Sequence, residues 1–263
     1  MAGKIMKMQY HVKAYHGLGR SFARTRFISA STALFITFAA IGFVNNAQAE
    51  TGRVDQVEQL DGEAGEFELE SQNIWVPKYD GEASQLAMGL TFEYGLLDNF
   101  IIGTEAEFER EDGENFGLSE FAAQAKWIAL SPQENAVGLG IQSSIIYNFE
   151  DDALSTETFF IAAIDGKEWT AAANIIASSE AGNLGKFDLG YSARADKEIG
   201  KNMQLGMEIG GDIAVDDPKA HWMGPVISFE PIEKGPELEI SAFTGLNQNS
   251  PDVQFRLEID WEF

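Results

Sequence analysis

Residues 253–263, VQFRLEIDWEF, alternate one apolar with one polar side chain from beginning to end. Successive side chains of a β-strand point to opposite faces of its sheet. The segment therefore predicts a strand with one face wholly apolar and the other wholly polar. The polar face carries Gln254, Arg256, Glu258, Asp260 and Glu262.

The same two-residue period recurs throughout the chain from residue 64 onward. It predicts strands near 64–72, 85–95, 100–109, 118–129, 136–149, 156–165, 168–178, 186–197, 202–214, 221–230, 237–246 and 252–263. Most of these segments are about ten to twelve residues long, which is longer than globular strands and typical of strands that cross a membrane. A soluble β-sandwich or lipocalin-like barrel would have shorter strands.

Aromatic residues gather near the ends of these segments. One set is Phe100, Trp127, Trp169, Trp261 and Phe263, and the other is Phe108, Tyr147, Phe149 and Phe187. Two aromatic belts mark the two interfaces of a membrane barrel, whereas a soluble barrel would spread these rings through its core.

These patterns predict an all-β protein, a transmembrane antiparallel up-and-down β-barrel of about twelve strands. A closed barrel pairs every backbone N–H and C=O without leaving an edge in lipid. A charged side chain facing lipid costs up to about 2–4 kcal/mol, so the apolar face meets lipid and the polar face lines the lumen. Ten or fourteen strands are alternatives, because the phase of 156–165 is ambiguous and Pro225 weakens 221–230.

Links between the predicted strands alternate in length. Those at 96–99, 130–135, 165–167, 198–201 and 231–236 are short and turn-like. The others are usually longer and more acidic: 73–84, 110–117, 150–155, 178–185, 214–220 and 246–251. An even-stranded barrel with this alternation has both chain ends in the periplasm.

The N-terminal region resembles a signal peptide over 1–49. Six basic residues and no acidic one precede or enter an apolar stretch, and Ala47-Gln48-Ala49 gives a small-x-small cleavage pattern before Glu50. A membrane anchor over 27–44 is the alternative. The basic region is longer than is usual for a signal peptide, so a start codon further into the sequence is a second alternative. We expect Sec-type export, a flexible lead-in over 50–63 and the barrel over 64–263, in a Gram-negative cell outer membrane.

Charge limits the partners of the exported part. The chain has 18 Lys and Arg residues against 42 Asp and Glu residues, and six of the basic ones lie before residue 50. Phosphates would be repelled, so no nucleic-acid partner is expected. Cys is absent, which excludes disulfides and thiolate metal sites. The expected partners are outer-membrane lipid, the barrel-assembly machinery, and small solutes or cations.

The polar faces supply the predicted pore-lining residues: Glu93, Glu105, Glu107, Glu109, Glu120, Lys126, Asp188, Arg194, Glu208, Glu239, Arg256, Glu258 and Asp260. Rings of Asp and Glu favour cations. We therefore predict a porin-like passive channel or facilitator for small, cationic or neutral solutes, with no cofactor or metal and no enzymatic activity. A structural or adhesive barrel with a closed lumen is the alternative, since twelve strands lie between filled and open barrels.

An outer-membrane hydrolase of the phospholipase kind, centred on His221, is the second alternative. His221 is the only histidine after residue 49, and the His-x-Ser arrangement is missing because Met223 follows Trp222. Acidic loop clusters such as Asp216 and Asp217 match no calcium-loop spacing.

The C-terminal strand ends in Trp261-Glu262-Phe263 and resembles the signal that the barrel-assembly machinery recognises, with Trp261 and Phe263 as its key residues. Residues 64–263 also resemble transporter-like outer-membrane barrels related to the phenol-degradation MetA-pathway family. The matching stretches are 65–70, 94–99 and 221–225. The resemblance implies an outer-membrane barrel that moves small molecules or hydrophobic compounds inward, and it identifies no functional residue.

Overall fold

The computed structural model describes residues 57–78, 84–111, 115–180, 187–213, 220–232 and 235–263. The predicted signal peptide, its cleavage site at Ala49 and Glu50, and the loop residues Asp216 and Asp217 lie outside this part of the chain. Within it, no helix is long and apolar enough to cross a membrane.

Twelve β-strands form the described structure. They are β1 (Phe67–Val76), β2 (Gln85–Leu97), β3 (Phe100–Glu111), β4 (Gly117–Leu130), β5 (Gly138–Asn148), β6 (Ala153–Asp165), β7 (Trp169–Glu180), β8 (Asp188–Gly200), β9 (Met203–Ile213), β10 (His221–Phe229), β11 (Glu237–Gly245) and β12 (Val253–Glu262).

The strands close into one antiparallel barrel in which each strand pairs with its neighbours in the chain and β1 pairs with β12. Closure is completed where β1 begins and β12 ends, and there the backbone N–H of Phe263 donates to the carbonyl of Phe67 at 2.8 Å. The predicted fold class and the count of twelve are confirmed.

Strand β1 differs most from the prediction. It begins at Phe67 and ends at Val76, whereas the sequence predicted 64–72. Ile74 and Val76 are buried, at 4% exposure each, while Trp75 between them is exposed. Because apolar residues occupy both faces here, the two-residue pattern fades before the strand ends.

Pro225 lies inside β10 and faces outward between the buried Gly224 and Val226. In the pairing of β10 with β11, Met223↔Thr244 is followed directly by Val226↔Ser241, so Gly224 and Pro225 are left out. Proline has no N–H to donate, so the ladder is interrupted without ending the strand.

The outer face carries the apolar side chains and both aromatic belts. Phe67, Trp169 and Trp261 are exposed at the end that holds the chain termini, and Trp75 and Phe187 at the opposite end. Ring contacts join Trp261 to Phe263 and Tyr147 to Phe149. The predicted orientation of these faces is therefore the observed one.

The predicted alternation of link lengths holds only in part. On the side of the chain termini the links are 98–99, 131–137, 166–168, 201–202 and 230–236. Two of these are as long as the links at the opposite end, because β4 and β10 end in proline-containing turns at Pro132 and Pro231.

Candidate functional site

The barrel encloses a cavity of about 490 Å³ whose lining reaches both ends of the strands. Glu68 and Glu262 line it near the chain termini, and Glu157 and Asp188 line it near the opposite end. Among the described residues, sixteen Asp and Glu side chains line this cavity against two basic ones, Lys126 and Arg194. The lumen is therefore strongly acidic.

Most of the predicted pore-lining residues lie on the inner face at this cavity. Those that line it are Glu93, Glu105, Glu107, Glu120, Lys126, Asp188, Arg194, Glu239, Glu258 and Asp260. Glu109 lies further along β3, opposite Gly117, and is not part of the lining. Glu208 and Arg256, also predicted to line the pore, are not part of this lining: both are 1% exposed and pair with each other.

Carboxylates face one another directly across neighbouring strands. The register pairs Glu68 with both Glu262 and Glu93, Glu70 and Glu237 with Asp260, Glu107 with Glu120, and Glu239 with Glu258. Like charges directly opposite each other destabilise a sheet unless cations or water separate them. The inner surface thus favours the presence of positive charge.

A network of ion pairs fills the side of the lumen formed by β8–β12. Arg256 holds Glu208 through two parallel hydrogen bonds of 3.0 and 2.7 Å and donates a third, of 2.8 Å, to Glu239. Arg194 donates to Glu239 and, at 2.8 and 2.9 Å, to the two carboxylate oxygens of Asp196. Both guanidinium groups are therefore neutralised by the wall itself.

Apolar side chains extend this closed side toward the end opposite the termini. Trp222, Val226 and Phe243 form a buried cluster, and the guanidinium of Arg256 lies 5.1 Å from the ring of Phe243. The sequence analysis assigned the polar faces of the strands to the lumen, whereas these three inward residues are apolar and pack against each other.

A second inward apolar cluster lies on β3–β7, nearer the chain termini. It consists of Ile101, Ile128, Phe159, Ile161, Ala163 and Ile176, with Leu60 of the lead-in packed among them. Leu60 is 2% exposed. A Cβ on Gly140 would lie 2.4 Å from Leu60 Cδ2, so a glycine here makes room for the leucine.

Polar contacts also hold the lead-in inside the barrel. Lys126 Nζ lies 3.4 Å from Glu58 Oε2 and 3.4 Å from Glu93 Oε2. The side-chain amide of Asn174, oriented to satisfy both groups, accepts from the backbone N–H of Glu58 at 2.7 Å and donates to its carbonyl at 3.3 Å. Burial raises the pKa of the Glu58 carboxyl, and Lys126 opposes that rise.

Glu58 and Leu60 of the lead-in thus contact the inner wall of the barrel. The sequence signalled none of this, because 57–63 contains no period and only two large apolar residues, Val57 and Leu60. Leu60 becomes buried because the barrel wall supplies an apolar surface.

His221 lies on the outward-facing side of β10, in the same alternation as Pro225 and Ile227. Its Nδ1 is 3.3 Å from the hydroxyl of Tyr191. Ser250 Oγ bonds the backbone of His221, accepting from its N–H at 2.8 Å and donating to its carbonyl at 2.7 Å. No described serine hydroxyl is hydrogen-bonded to the imidazole ring.

Metal binding has no preformed site in the part of the chain that is described. There, no group of three or more His, Cys, Asp or Glu side chains is placed to hold a metal ion.

Several cavity-lining residues were missed by the sequence analysis. Glu68, Glu70, Glu157, Asp212 and Glu237 line the cavity. Glu68 and Glu70 alternate with Phe67 and Leu69, a signal that could have identified them. Glu157 was hidden because Phe159 and Ile161, on the same inward face, are apolar.

Comparison with known proteins gives structural but not sequence relatives. No model of a protein family matches the chain, and no curated protein matches it. An outer-membrane channel from Pseudomonas putida F1 is similar in structure, with a TM-score of 0.61 and 12% identity over 80% of this chain and 100% of that one.

Two porins are also similar. NanC superposes with a TM-score of 0.53 and 6% identity, covering 73% of this chain and 98% of its own. KdgM, solved in complex with disordered oligogalacturonate, gives a TM-score of 0.51 and 7% identity, covering 75% and 98%. At these identities the likeness shows the fold, which is that of an outer-membrane β-barrel.

Proposed function

We propose that this chain forms a passive outer-membrane channel for small solutes that prefers cations. The observation that carries the proposal is the cavity whose lining reaches both ends of the barrel, with sixteen described carboxylate residues against two basic ones. The channels and porins that share the fold support this kind of function.

Electrostatics supports the preference for cations. Arg194 is already bonded to Asp196 and Glu239, and Lys126 to Glu58 and Glu93. Neither basic group therefore offers a free positive charge to an anion. The lining carboxylates far outnumber the basic residues that could neutralise them. A low-dielectric wall lined by one sign of charge concentrates ions of the opposite sign.

One observation favours the alternative of a closed lumen. Residues 57–61 of the lead-in lie inside the barrel and narrow it beside Lys126 and Phe159. In the channel proposal the lead-in limits the current, and in the alternative it blocks it.

The hydrolase alternative receives no support from the described site. His221 faces outward and contacts Tyr191, and Ser250 is engaged with the backbone of His221. A nucleophile, a base and an orienting acid within hydrogen-bond reach are needed for such chemistry.

Export and assembly remain part of the proposal. We propose a signal peptide over 1–49, outer-membrane residence, and recognition of Trp261 and Phe263 by the barrel-assembly machinery. The stretches 65–70, 94–99 and 221–225 support a relationship with the MetA-pathway group.

The test is a reversal-potential measurement across a planar bilayer in a KCl gradient. The purified protein should give a reversal potential of the sign expected for a cation-selective channel. Replacing Glu105 and Glu107 together by Gln should lower the ratio of K⁺ to Cl⁻ permeability by about threefold or more. Glu109→Gln is the matched control, because Glu109 lies on the same strand outside the cavity lining. A folded barrel that passes no current, or that shows no ion preference, contradicts the proposal.

A further inference from the structure

Part of the inner wall of β3–β7, nearer the end where β1 begins, is apolar where a water-filled ion channel would be polar. Ile101, Ile161 and Ile176 point inward with exposures of only 2 to 3%. They are covered by Leu60, which belongs to the lead-in and not to the barrel wall. Movement of Leu60 would therefore open an apolar surface inside the lumen.

Carboxylates line the adjoining cavity, which this apolar cluster reaches through Phe159. Glu68 lies on β1 and Asp260 and Glu262 on β12, and all three share the cavity with Phe159 and with Val57 of the lead-in. This part of the lumen thus presents an apolar side and an anionic side to one occupant. Inorganic cations would use only the anionic side.

We propose that the channel takes organic cations that carry an apolar group, such as alkyl or aryl ammonium compounds, and that Leu60 occupies the subsite for that group. The inference rests on the proposed function, because it names the solute class of the same lumen. The apolar group would displace Leu60 and pack against Phe159, Ile161 and Ile176, while the ammonium would face Glu68 and Asp260.

The contacts of Leu60 show what this subsite accepts. Leu60 Cδ atoms come within 3.0 Å of a Cβ built on Gly138 and 2.4 Å of one built on Gly140. These two glycines on β5 leave a recess that a branched aliphatic group fills. A smaller crevice of about 190 Å³ adjoins Leu60; Pro132, Ala163 and Ala172 line it together with polar groups such as Asp61 and Arg194.

The experiment measures binding by calorimetry to the purified protein in lipid nanodiscs, with benzyltrimethylammonium, tetramethylammonium and benzyl alcohol as probes. The first two share a charge and differ in the apolar group, and the third lacks the charge. Leu60→Ala should tighten binding of benzyltrimethylammonium by about tenfold and leave that of tetramethylammonium unchanged. Because Leu60 lies in the lead-in, this variant leaves the barrel wall intact.

Two results would overturn the inference. Equal affinities of Leu60→Ala for the two ammonium probes would show that there is no apolar subsite. Equal affinities for benzyltrimethylammonium and benzyl alcohol would show that the carboxylates do not contribute to binding. The inference and the proposed function fail separately. If the barrel binds the benzyl cation selectively but passes no current, only the proposed channel function is contradicted. If it conducts cations without this selectivity, only the proposed solute class is contradicted.

Discussion

The two sides of the lumen are closed in different ways. On the β8–β12 side, Arg194 and Arg256 are bonded to carboxylates of the wall itself. On the β3–β7 side, the wall is covered by Leu60 and Glu58, which lie outside the barrel strands. The first side is closed by side chains of the barrel strands themselves, whereas the second is closed by a segment that precedes the strands.

This difference teaches that lumen width has two separate determinants. Removing a partner from the ion network leaves buried charge in the wall and should threaten the fold. Removing a contact of the lead-in leaves every strand pairing intact and should change only what passes through. The predictions below test that separation.

The largest effect is expected on the side closed by the wall. Arg256→Met leaves Glu208 and Glu239 buried without their shared partner. The free energy of unfolding should fall by about 3–5 kcal/mol. Urea unfolding in lipid vesicles measures it, and the double variant with Glu208→Gln should recover part of the loss. An unchanged unfolding midpoint in Arg256→Met would contradict the claim that the ion network stabilises the barrel.

The next effect concerns the side closed by the lead-in. Leu60→Asp places a charge in the apolar cluster, so docking of the lead-in should weaken by about 30-fold or more. Single-channel conductance should rise while the urea midpoint of the barrel stays within error. Gln59→Asp adds the same charge at a neighbouring exposed residue and is the control. Equal conductance in both variants would show that the lead-in does not limit the current.

A smaller effect is expected from pH. Burial raises the pKa of Glu58, so its protonated form favours the docked lead-in. Docking is therefore most stable below the ordinary carboxyl pKa and weakens as pH rises through the raised value. Conductance of the native protein should increase over that interval, and Glu58→Gln should flatten the pH profile. A profile that is the same in Glu58→Gln and the native protein assigns the dependence to other carboxyls.

The smallest effect should come from His221. Replacing it by Ala removes a hydrogen bond to Tyr191 on the outward face and should cost less than about 1 kcal/mol, with no change in conductance. Assays of phospholipid hydrolysis should read the same for both proteins. Loss of a measurable hydrolytic activity in His221→Ala would revive the enzymatic alternative.

The sequence predicted what depends on alternation. Residues 253–263 gave the strand, its two faces and the direction of Glu258 and Asp260, since a period of two determines which way each side chain points. It failed where both faces are apolar, as at Ile74 and Trp75 or at Phe159 and Phe160, because no period then separates them.

Contacts across the barrel were beyond sequence reasoning. Arg256 and Glu208 lie 48 residues apart in the sequence, and their pairing follows from closure and register rather than from any local pattern. The same holds for Leu60, whose burial depends on a wall built by five later strands.

The most direct test of the account is a cross-link between the lead-in and the wall. The chain contains no cysteine, so the double variant Leu60→Cys with Ala163→Cys introduces the only pair of thiols. Single-channel current is then recorded under oxidising conditions and after addition of a reductant. The account predicts a small current when the lead-in is locked and a larger one when it is released. Equal currents in the two states, with the disulfide verified, would contradict a removable closure of the lumen.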